Sequence, residues 1–466
     1  MSRARAVIKT TFIYFIGNFA SKLLSFFLLP LYTTYLTSED YGSIDLLVSI
    51  LPLIAPIFTM QVTESVFRFL CIKGDLKDIK RTISSSLVIF FMGILMFIVL
   101  YIPFVIKYNI SYAPLFILYF FITYLGIFFQ QVLRGLNRTV EYAATGVIST
   151  IVQATINIIL IVKYEMGGES LLISSIVASS IITVFVAIRI KIWKLIDYKN
   201  VSKIEIKKQL KYGVPLIPNQ ISWWIIGLLG KYILFHFHGT RENGILAVAG
   251  KFPGLLTTIN SIFFLGWTEN AIREYELTDK SDFFSNGFQI FSNFIICATA
   301  GLLPIIKIYN VVIITGEFTE SWKYIPIMMV GTLFNSFASF LGTIYTVSMK
   351  TKQAFTTTIV VAICNLILSL LLIPRLLIWG VVISNMISFI VFFLVRMRSV
   401  NTIVNIRYHF KGMALSSFLL IISIIGYYGL NIYGQIILLI ILVAGSLVIN
   451  KRIIKEMINF FKFKKI

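Results

Sequence analysis

The chain has 466 residues, of which 58% are apolar, 15% aromatic and 13% charged. This composition, with a mean hydropathy of +0.89, excludes an ordinary soluble protein, and most of the chain is predicted to lie in a lipid bilayer. Lysine and arginine number 41 against 20 aspartate and glutamate residues, which leaves a formal net charge of +21.

Apolar runs bounded by charged residues, glycine and proline predict an all-α polytopic membrane protein with about fourteen spanning helices. The predicted spans are 10–34, 42–69, 83–106, 112–133, 141–162, 170–189, 213–235, 244–270, 284–306, 324–348, 354–373, 378–395, 412–430 and 434–450. The first run is interrupted by Lys22 and followed by no signal-cleavage site, so we interpret it as a retained span. Pro52 and Pro56 mark expected bends in the second span.

The basic residues indicate the topology of these spans, because cytoplasmic loops retain positive charge during insertion. With the N-terminus inside, the segments predicted to be cytoplasmic contain 32 of the 41 lysine and arginine residues, and the outside loops contain six. The positive charge is therefore explained by topology and by contact with anionic inner-leaflet lipids, and we expect no nucleic-acid partner. Both termini are predicted to be cytoplasmic.

The two halves of the chain repeat polar residues in register. The matched pairs include Asn18 with Asn219, Asn157 with Asn365, and Ser174 with Ser384, at offsets of 201, 208 and 210. Steadily increasing offsets predict two six-helix lobes in a pseudo-twofold parallel repeat around a central cavity, an arrangement suited to alternating access. The predicted segments are an N-lobe at 1–190, a cytoplasmic basic linker at 191–212 with an amphipathic helix, a C-lobe at 213–396, two further helices in 397–450 and a basic cytoplasmic tail at 451–466.

Lys22 is the deepest of the predicted intramembrane charges. It lies midway along the first span, one helical turn after Asn18, and a lysine at the centre of a span costs about 2.5 to 3.5 kcal/mol on insertion scales. Lys22 therefore either lines a polar cavity or pairs with an acid such as Asp45. Lys251 is a second candidate for a polar cavity, whereas Lys231 lies near enough to the outer end of its span to reach the interface.

Glutamate and arginine recur four residues apart at the inner ends of the second and eighth spans. The pairs are Glu64 with Arg68 and Glu269 with Arg273. This spacing places each pair on one helix face, where an ordinary ion pair is expected. Because the pattern occurs in both halves, an inner gate or a contact with an anionic headgroup stays open as the alternative.

Motifs of enzymes are absent from the sequence. It contains no P-loop, no zinc-protease motif and no nucleophile elbow. Cys71, Cys297 and Cys364 lack the spacing of a zinc site or a disulfide framework. No outside loop is long enough for a folded catalytic domain. We therefore expect a transporter without a cofactor or a bound metal.

Three stretches carry a family resemblance. They are Y-F-I-G-N-F-A-S-K-L-L-S-F-F-L-L-P-L-Y at 14–32, L-T-S-E-D-Y-G-S-I-D-L-L at 36–47 and Q-V-T-E-S-V-F-R-F at 61–69. With the fourteen spans, they resemble the Wzx-type polysaccharide biosynthesis flippases of the multidrug/oligosaccharidyl-lipid/polysaccharide exporter superfamily. The resemblance implies a MATE-like fold and a substrate consisting of an oligosaccharide on undecaprenyl pyrophosphate, moved from the inner to the outer leaflet of the bacterial cytoplasmic membrane.

Roles for particular residues follow from that resemblance. Cations expected to meet the pyrophosphate are Lys22, Arg68, Lys251, Lys231 and Arg273. Amides expected to hydrogen-bond the sugar hydroxyls are Asn18, Asn219 and Gln220. Acids available for ion coupling or for a gate are Asp45, Glu64 and Glu269. A proton gradient, a sodium gradient and the membrane potential all stay open as the energy source.

Several alternatives share this hydropathy. A peptidoglycan lipid-precursor flippase would also have fourteen spans and a cationic cavity. A drug or cation antiporter of the same superfamily would usually have twelve spans and an acidic site, and a membrane glycan polymerase would normally need a large outside loop. The expected partners are the lipid-linked glycan, membrane lipids and a polysaccharide polymerase, and we expect a monomer.

Overall fold

The computed structural model describes residues 26–72, 75–108, 112–275, 280–348 and 350–449, and these residues are almost entirely helical. The helices of the first part of the chain are α1 Leu29–Tyr35, α2 Ser38–Ser49, α3 Leu51–Phe58, α4 Val62–Ile72, α5 Leu76–Tyr108, α6 Ala113–Gly135, α7 Thr139–Ile158, α8 Glu169–Ile190, α9 Ile192–Leu195 and α10 Lys203–Gly213. Those of the second part are α11 Ile217–His238, α12 Thr240–Glu274, α13 Lys280–Ile313, α14 Ile325–Val347, α15 Thr351–Leu376, α16 Ile378–Asn401, α17 Phe410–Gly429 and α18 Ile432–Ile449.

Ten helical segments in the described part of the chain are long and apolar enough to cross a membrane. They are Ser38–Phe58, Leu76–Lys107, Ala113–Gly135, Val140–Lys163, Glu169–Ile190, Lys280–Ile313, Ile325–Val347, Lys352–Leu376, Ile378–Asn401 and Ile432–Ile449. The prediction of an all-helical, multi-pass membrane protein is therefore confirmed. Helices α11, α12 and α17 cover three further predicted spans, and the first predicted span lies mostly outside the described residues. The count of fourteen spans stays a prediction.

The second predicted span is broken into three helices. Pro52 lies in the first turn of α3 and Pro56 lies inside it, as expected for a bend. The sharper break follows at Met60 and Gln61, whose φ angles of 50° and 54° belong to the left-handed region. This conformation is costly for residues other than glycine and ends α3 before α4 begins.

The chain divides into two compact units, residues 1–224 and 225–466. The core of the first unit is rich in aromatic rings, with Phe97 and Phe120 packed edge to face at 4.6 Å between centroids. In the second unit, Phe288 and Phe393 stack at 6.0 Å. Helices α17 and α18 pack on α13 of the second unit, where the Ser423 hydroxyl donates a hydrogen bond to the Ala300 carbonyl oxygen at 2.7 Å.

Each unit repeats the same internal packing pattern. In the first, α8 packs against α6 and α7, and in the second, α16 packs against α14 and α15. These helices are the fourth to sixth and the tenth to twelfth predicted spans. Asn157 and Asn365, which the sequence repeat pairs, are both fully buried, as are Ser174 and Ser384. The packing therefore supports the internal repeat, whereas the predicted symmetry axis, lobe limits and central cavity stay predictions.

Candidate functional site

Helix α10, which lies in the segment predicted as a linker, is anchored to the first unit by buried polar side chains. Gln209 and Glu205 are only 1% and 7% exposed. The Ser86 hydroxyl donates a hydrogen bond to Gln209 Oε1 at 2.8 Å, and Gln209 Nε2 donates to the Thr82 carbonyl oxygen at 3.2 Å. Thr82 Oγ1 in turn donates to Glu205 Oε1 at 3.3 Å. Buried polar groups satisfied in this way fix one position for the helix.

Helix α10 also lies close to the break between α3 and α4, and two contacts of its backbone show this. The Ser65 hydroxyl donates a hydrogen bond to the Gln209 carbonyl oxygen at 3.1 Å. A Cβ atom on Gly213 would overlap the carbonyl oxygen of Met60, so glycine permits this approach. Helix α10 is therefore packed against the rest of the first unit. Its basic residues are nevertheless exposed, and they are Lys203, Lys207, Lys208 and Lys211.

Side chains of α4, α6 and α10 form a group of cations and aromatic rings, which we call the basic–aromatic cluster. Its members are Phe67, Arg68, Phe69, Arg134, Lys208 and Tyr212. The Arg68 guanidinium carbon lies 4.7 Å from the centre of the Tyr212 ring. Lys208 Nζ lies 4.7 Å from the centre of the Phe69 ring, and the Arg134 guanidinium carbon lies 4.0 Å from that of Phe67. Cations over ring faces are attracted by the ring quadrupole.

The local structure explains why these side chains meet. Residues 67–69 lie in the last turns of α4, Arg134 lies in the last turn of α6, and Lys208 and Tyr212 are one turn apart on α10. A basic residue at the C-terminal end of a helix also interacts favourably with the helix dipole. The packing of Phe69 against Tyr212, at 5.9 Å between centroids, joins α4 to α10.

The cluster has a positive local charge. Within the described residues, no carboxylate forms an ion pair with Arg68, Arg134 or Lys208. Partial burial raises the pKa of the Cys71 thiol at the end of α4, and the positive charge of Arg134 opposes that rise. Three cations beside ring faces, in a part of the chain predicted to face the cytoplasm, can bind a multiply charged anion such as a pyrophosphate.

The predicted ion pair between Glu64 and Arg68 is wrong. Arg68 forms no ion pair with Glu64 in the described structure and lies over Tyr212 instead. An exposed pair four residues apart on a helix contributes only about 0.3 to 0.5 kcal/mol, so a planar guanidinium is readily turned towards an aromatic ring. Of the two interpretations made from the sequence, the ordinary helix ion pair is excluded for Glu64 and Arg68. A gate or a headgroup contact stays a prediction.

The side chains of four other predicted site residues are not among those that the structure describes. Lys22 and Asn18 lie outside the described residues. Glu269 and Arg273 belong to α12, and only the backbone of these two residues is described. Their predicted roles are untested.

The remaining predicted residues lie on several elements and are not brought together by either unit. In the first unit, Asp45 is half-buried on α2, and Asn219 and Gln220 lie in the first turn of α11. In the second unit, the carbonyl oxygen of Lys231 accepts a hydrogen bond from Asn243 Nδ2 at 3.0 Å, and Lys251 is exposed on α12. Their functions stay predictions.

Sequence reasoning missed two features. The sequence patterns indicate no role for Arg134, Lys208 and Tyr212, although the spacing of Lys208 and Tyr212 puts both on one face of a helix. Hydropathy places Arg396 just beyond a span ending at 395, but α16 extends to Asn401. A hydropathy window ends at the first charge, so it could not show that this arginine is buried in the second unit.

Arg396 is only 6% exposed. Its Nη1 donates a hydrogen bond to the Ala338 carbonyl oxygen at 2.7 Å, and its guanidinium lies 4.0 Å from the centre of the Phe392 ring. The Nε atom has no hydrogen-bond partner among the described residues. Gly342 leaves room for the guanidinium, which a Cβ atom there would overlap. Arg396 therefore joins α14 to α16 while keeping an unsatisfied donor.

These observations define a class of protein. The chain is an all-helical, multi-pass membrane protein whose first unit has a cationic site at one end of its helices, and the described residues contain no cluster of metal-ligating side chains. Residues 7–268 match the sequence profile of a family described as polysaccharide biosynthesis proteins. Because this match covers more than half of the chain, the protein belongs to the polysaccharide biosynthesis protein family, and the resemblance seen in its sequence is confirmed.

Solved structures are similar in fold over most of the chain. A structure described as the lipid II flippase MurJ in an inward closed conformation has a TM-score of 0.76 and 17% identity, covering 96% of this chain and 100% of that one. An inward-facing multidrug resistance MATE family transporter of the MOP superfamily has a TM-score of 0.61 and 15% identity, with 84% of this chain and 95% of that one covered. An outward-facing transporter of that description has a TM-score of 0.56 and 14% identity, over 85% and 96% of the two chains.

These likenesses show that the fold is that of transporters of the MurJ and MATE kinds. At identities of 14% to 17% they show the fold alone. No curated protein matches the chain by sequence.

Proposed function

We propose that this protein is a flippase that moves an oligosaccharide linked to undecaprenyl pyrophosphate from the inner to the outer leaflet of the bacterial cytoplasmic membrane, for assembly of a surface polysaccharide. The observation that carries the proposal is the family match over residues 7–268. The transporter fold supports it, since the likeness to MurJ extends over 96% of the chain. The proposal includes fourteen spans, two six-helix lobes and movement by alternating access.

The basic–aromatic cluster supports a pyrophosphate-linked substrate. A pyrophosphate carries several negative charges, and Arg68 and Arg134 can bind its oxygens through two-pronged hydrogen bonds. Lys208 adds a mobile point charge. Because this part of the chain is predicted to face the cytoplasm, the cluster suits first contact with a substrate made at the inner leaflet. In this proposal Lys22, Lys251, Lys231 and Arg273 bind the headgroup later in transport.

The remaining predicted residues complete the proposal. Asn18, Asn219 and Gln220 hydrogen-bond sugar hydroxyls, and Asp45, Glu64 and Glu269 are the candidates for ion coupling or gating. A proton gradient, a sodium gradient or the membrane potential supplies the energy. A polysaccharide polymerase would use the product at the outer leaflet.

The test is the position of the lipid-linked oligosaccharide in cells depleted of the protein. We expect it to accumulate at the inner leaflet and to become inaccessible to an external glycan-binding probe. The wild type and Arg68→Lys should restore access, whereas Arg68→Ala and Lys22→Ala should restore much less. Arg398→Ala is the matched control, because Arg398 is exposed and has no ring contact or ion pair with a described residue.

Other outcomes separate the alternatives. Normal external access with no polymer would indicate a polymerase and overturn the proposal. No change in either the oligosaccharide or the polymer would direct attention to efflux of small molecules. If Arg68→Ala and Lys22→Ala were fully active, the flippase assignment could stand, but the roles of these two cations would be excluded.

A peptidoglycan lipid-precursor flippase is the second candidate. It is favoured by the TM-score of 0.76 with the lipid II flippase MurJ. Both candidates carry a sugar on a lipid pyrophosphate, so the cluster does not distinguish them. Proteoliposomes containing either lipid II or a lipid-linked polysaccharide repeat unit would do so, and we expect faster transport of the repeat unit.

A further inference from the structure

A second surface of α10 borders an apolar groove that the proposed transport reaction does not use. The groove has a volume of about 300 Å³ and lies entirely within the first unit, among α5, α10 and the end of α3. Ile206 and Leu210 of α10 form one wall, and Met60, Met92 and Met96 are the flexible side chains that line it. Methionine adapts its shape to an apolar ligand more readily than branched side chains do.

The groove is closed at its base by helix packing. Gly93 lines it at a point where a Cβ atom would overlap the carbonyl oxygen of Phe58, so α5 and α3 leave no gap between them there. Met92 is 66% exposed, which shows that the other side is open. A chain can therefore enter from the lipid and rest on α5.

The groove is shorter than one leaflet of a bilayer. Its lining residues on α5 run from Val88 to Met96, a distance of about 12 Å at 1.5 Å per residue. One leaflet is about half of the roughly 30 Å hydrocarbon core. The groove therefore accommodates a segment of a single acyl chain, whereas a polyprenyl tail is far longer.

The rim of the groove is cationic. Lys203 precedes Ile206 by three residues and Lys207 precedes Leu210 by three, a spacing that puts each lysine on the same side of α10 as a groove residue. Both lysines are exposed. The carboxylate of Glu205 is turned inwards and accepts a hydrogen bond from Thr82. The Asp78 carboxylate on α5 is within 3.3 Å of Arg81, so neither acid neutralises the two lysines.

From this arrangement we propose that the groove binds one acyl chain of an anionic phospholipid of the cytoplasmic leaflet, with its phosphate at Lys203 and Lys207. The bound lipid would contact both α10 and α5 on their lipid-facing side, whereas the hydrogen bonds of Gln209 join the same two helices on their buried side. This inference is independent of the transported substrate, because the basic–aromatic cluster lies on the other side of α10.

The experiment uses the full-length protein in nanodiscs. Two photoactivatable lipids with the same diazirine acyl chain are compared, one with a phosphatidylglycerol headgroup and one with a phosphatidylcholine headgroup. Peptide mapping then measures labelling of residues 88–96. We expect the anionic lipid to label this segment about thirtyfold more strongly, the factor that corresponds to roughly 1 kcal/mol from each of the two lysines.

Two pairs of variants sharpen the test. Met92→Trp fills the groove and should abolish preferential labelling, whereas Leu95→Trp should not, because Leu95 is 63% exposed on the same helix but does not line the groove. The double variant Lys203→Gln/Lys207→Gln should remove the headgroup preference. Its charge-matched control, Lys194→Gln/Lys199→Gln, should retain it.

Three results would overturn the proposal. Equal labelling by both lipids would mean ordinary contact with annular lipid, and unchanged labelling of Met92→Trp would place the chain elsewhere. Competition by unlabelled undecaprenyl phosphate but not by phosphatidylglycerol would assign the groove to a polyprenyl tail. The lysine variants alter only exposed positions, so they remain informative even if Met92→Trp folds poorly.

Discussion

The guanidinium of Arg68 lies over the ring of Tyr212, with 4.7 Å between its central carbon and the ring centre. The two residues are 144 positions apart in sequence and join α4 to α10. Their contact connects the broken second span to the basic segment that follows the sixth. Because Arg68 forms no hydrogen bond with a described residue, its N–H groups remain available to an anion.

Tyr212→Leu should weaken this arrangement, whereas Tyr212→Phe should preserve it. The ring face provides about 0.5 to 1 kcal/mol at an exposed site, so the leucine variant should lose about two- to fivefold in transport of a pyrophosphate-linked glycan into proteoliposomes. Initial rates at low substrate concentration provide the measurement. Equal losses in both variants would mean that the hydroxyl is the important group.

Gln209→Leu should destabilise the first unit by about 1 to 3 kcal/mol, because it removes two buried hydrogen bonds, one from the Ser86 hydroxyl to Gln209 Oε1 and one from Gln209 Nε2 to the Thr82 carbonyl oxygen. The double variant Gln209→Leu/Ser86→Ala should recover part of the lost stability, since two apolar side chains then face each other. Hydrogen exchange of the 203–213 amides measures the effect. Strict additivity of the two substitutions would contradict the direct coupling seen here.

Gly213→Ala should displace α10, because the added methyl group would overlap the Met60 carbonyl oxygen. Gly227→Ala is the matched control, since no atom lies within 4 Å of the position that its Cβ would occupy. The control should be neutral or more stable by about 0.5 to 1 kcal/mol, from the helix propensity of alanine. Thermal unfolding in detergent distinguishes the two. A Gly213→Ala protein as stable as the control would show that the contact is easily relaxed.

Arg396→Met should leave the stability of the second unit unchanged or raise it. An apolar chain of similar length replaces a buried charge without a carboxylate partner among the described residues, and such replacements are often neutral or stabilising. Arg396→Ala should lose about 2 kcal/mol or more, because it leaves a cavity between α14 and α16. The measurement is the unfolding midpoint of each variant, compared with that of the wild type. A larger loss for methionine than for alanine would show that the charge itself stabilises the packing.

The positions of most membrane spans are determined by the sequence, although the exact ends of the helices are not. Each span must satisfy its own backbone hydrogen bonds and expose an apolar surface to lipid, so hydropathy within about 20 residues is sufficient to find it. The segment Ile325–Val347 was predicted as 324–348 for this reason. The internal repeat is a prediction from the sequence, and it is supported by the full burial of both Asn157 and Asn365.

Which side chains come into contact depends on how helices distant in sequence pack against each other, and this is visible only in the tertiary structure. Nothing near Arg68 in the sequence indicates Tyr212 as its partner, and local spacing favoured Glu64. Neither Met60 nor Gln61, where the break occurs, is a proline or a glycine, and Gly213 of another helix lies close to the Met60 carbonyl oxygen. Burial of Arg396 depends on Ala338 and Gly342 of α14. Such contacts are set by the packing of distant helices, whereas hydropathy is a property of each helix alone.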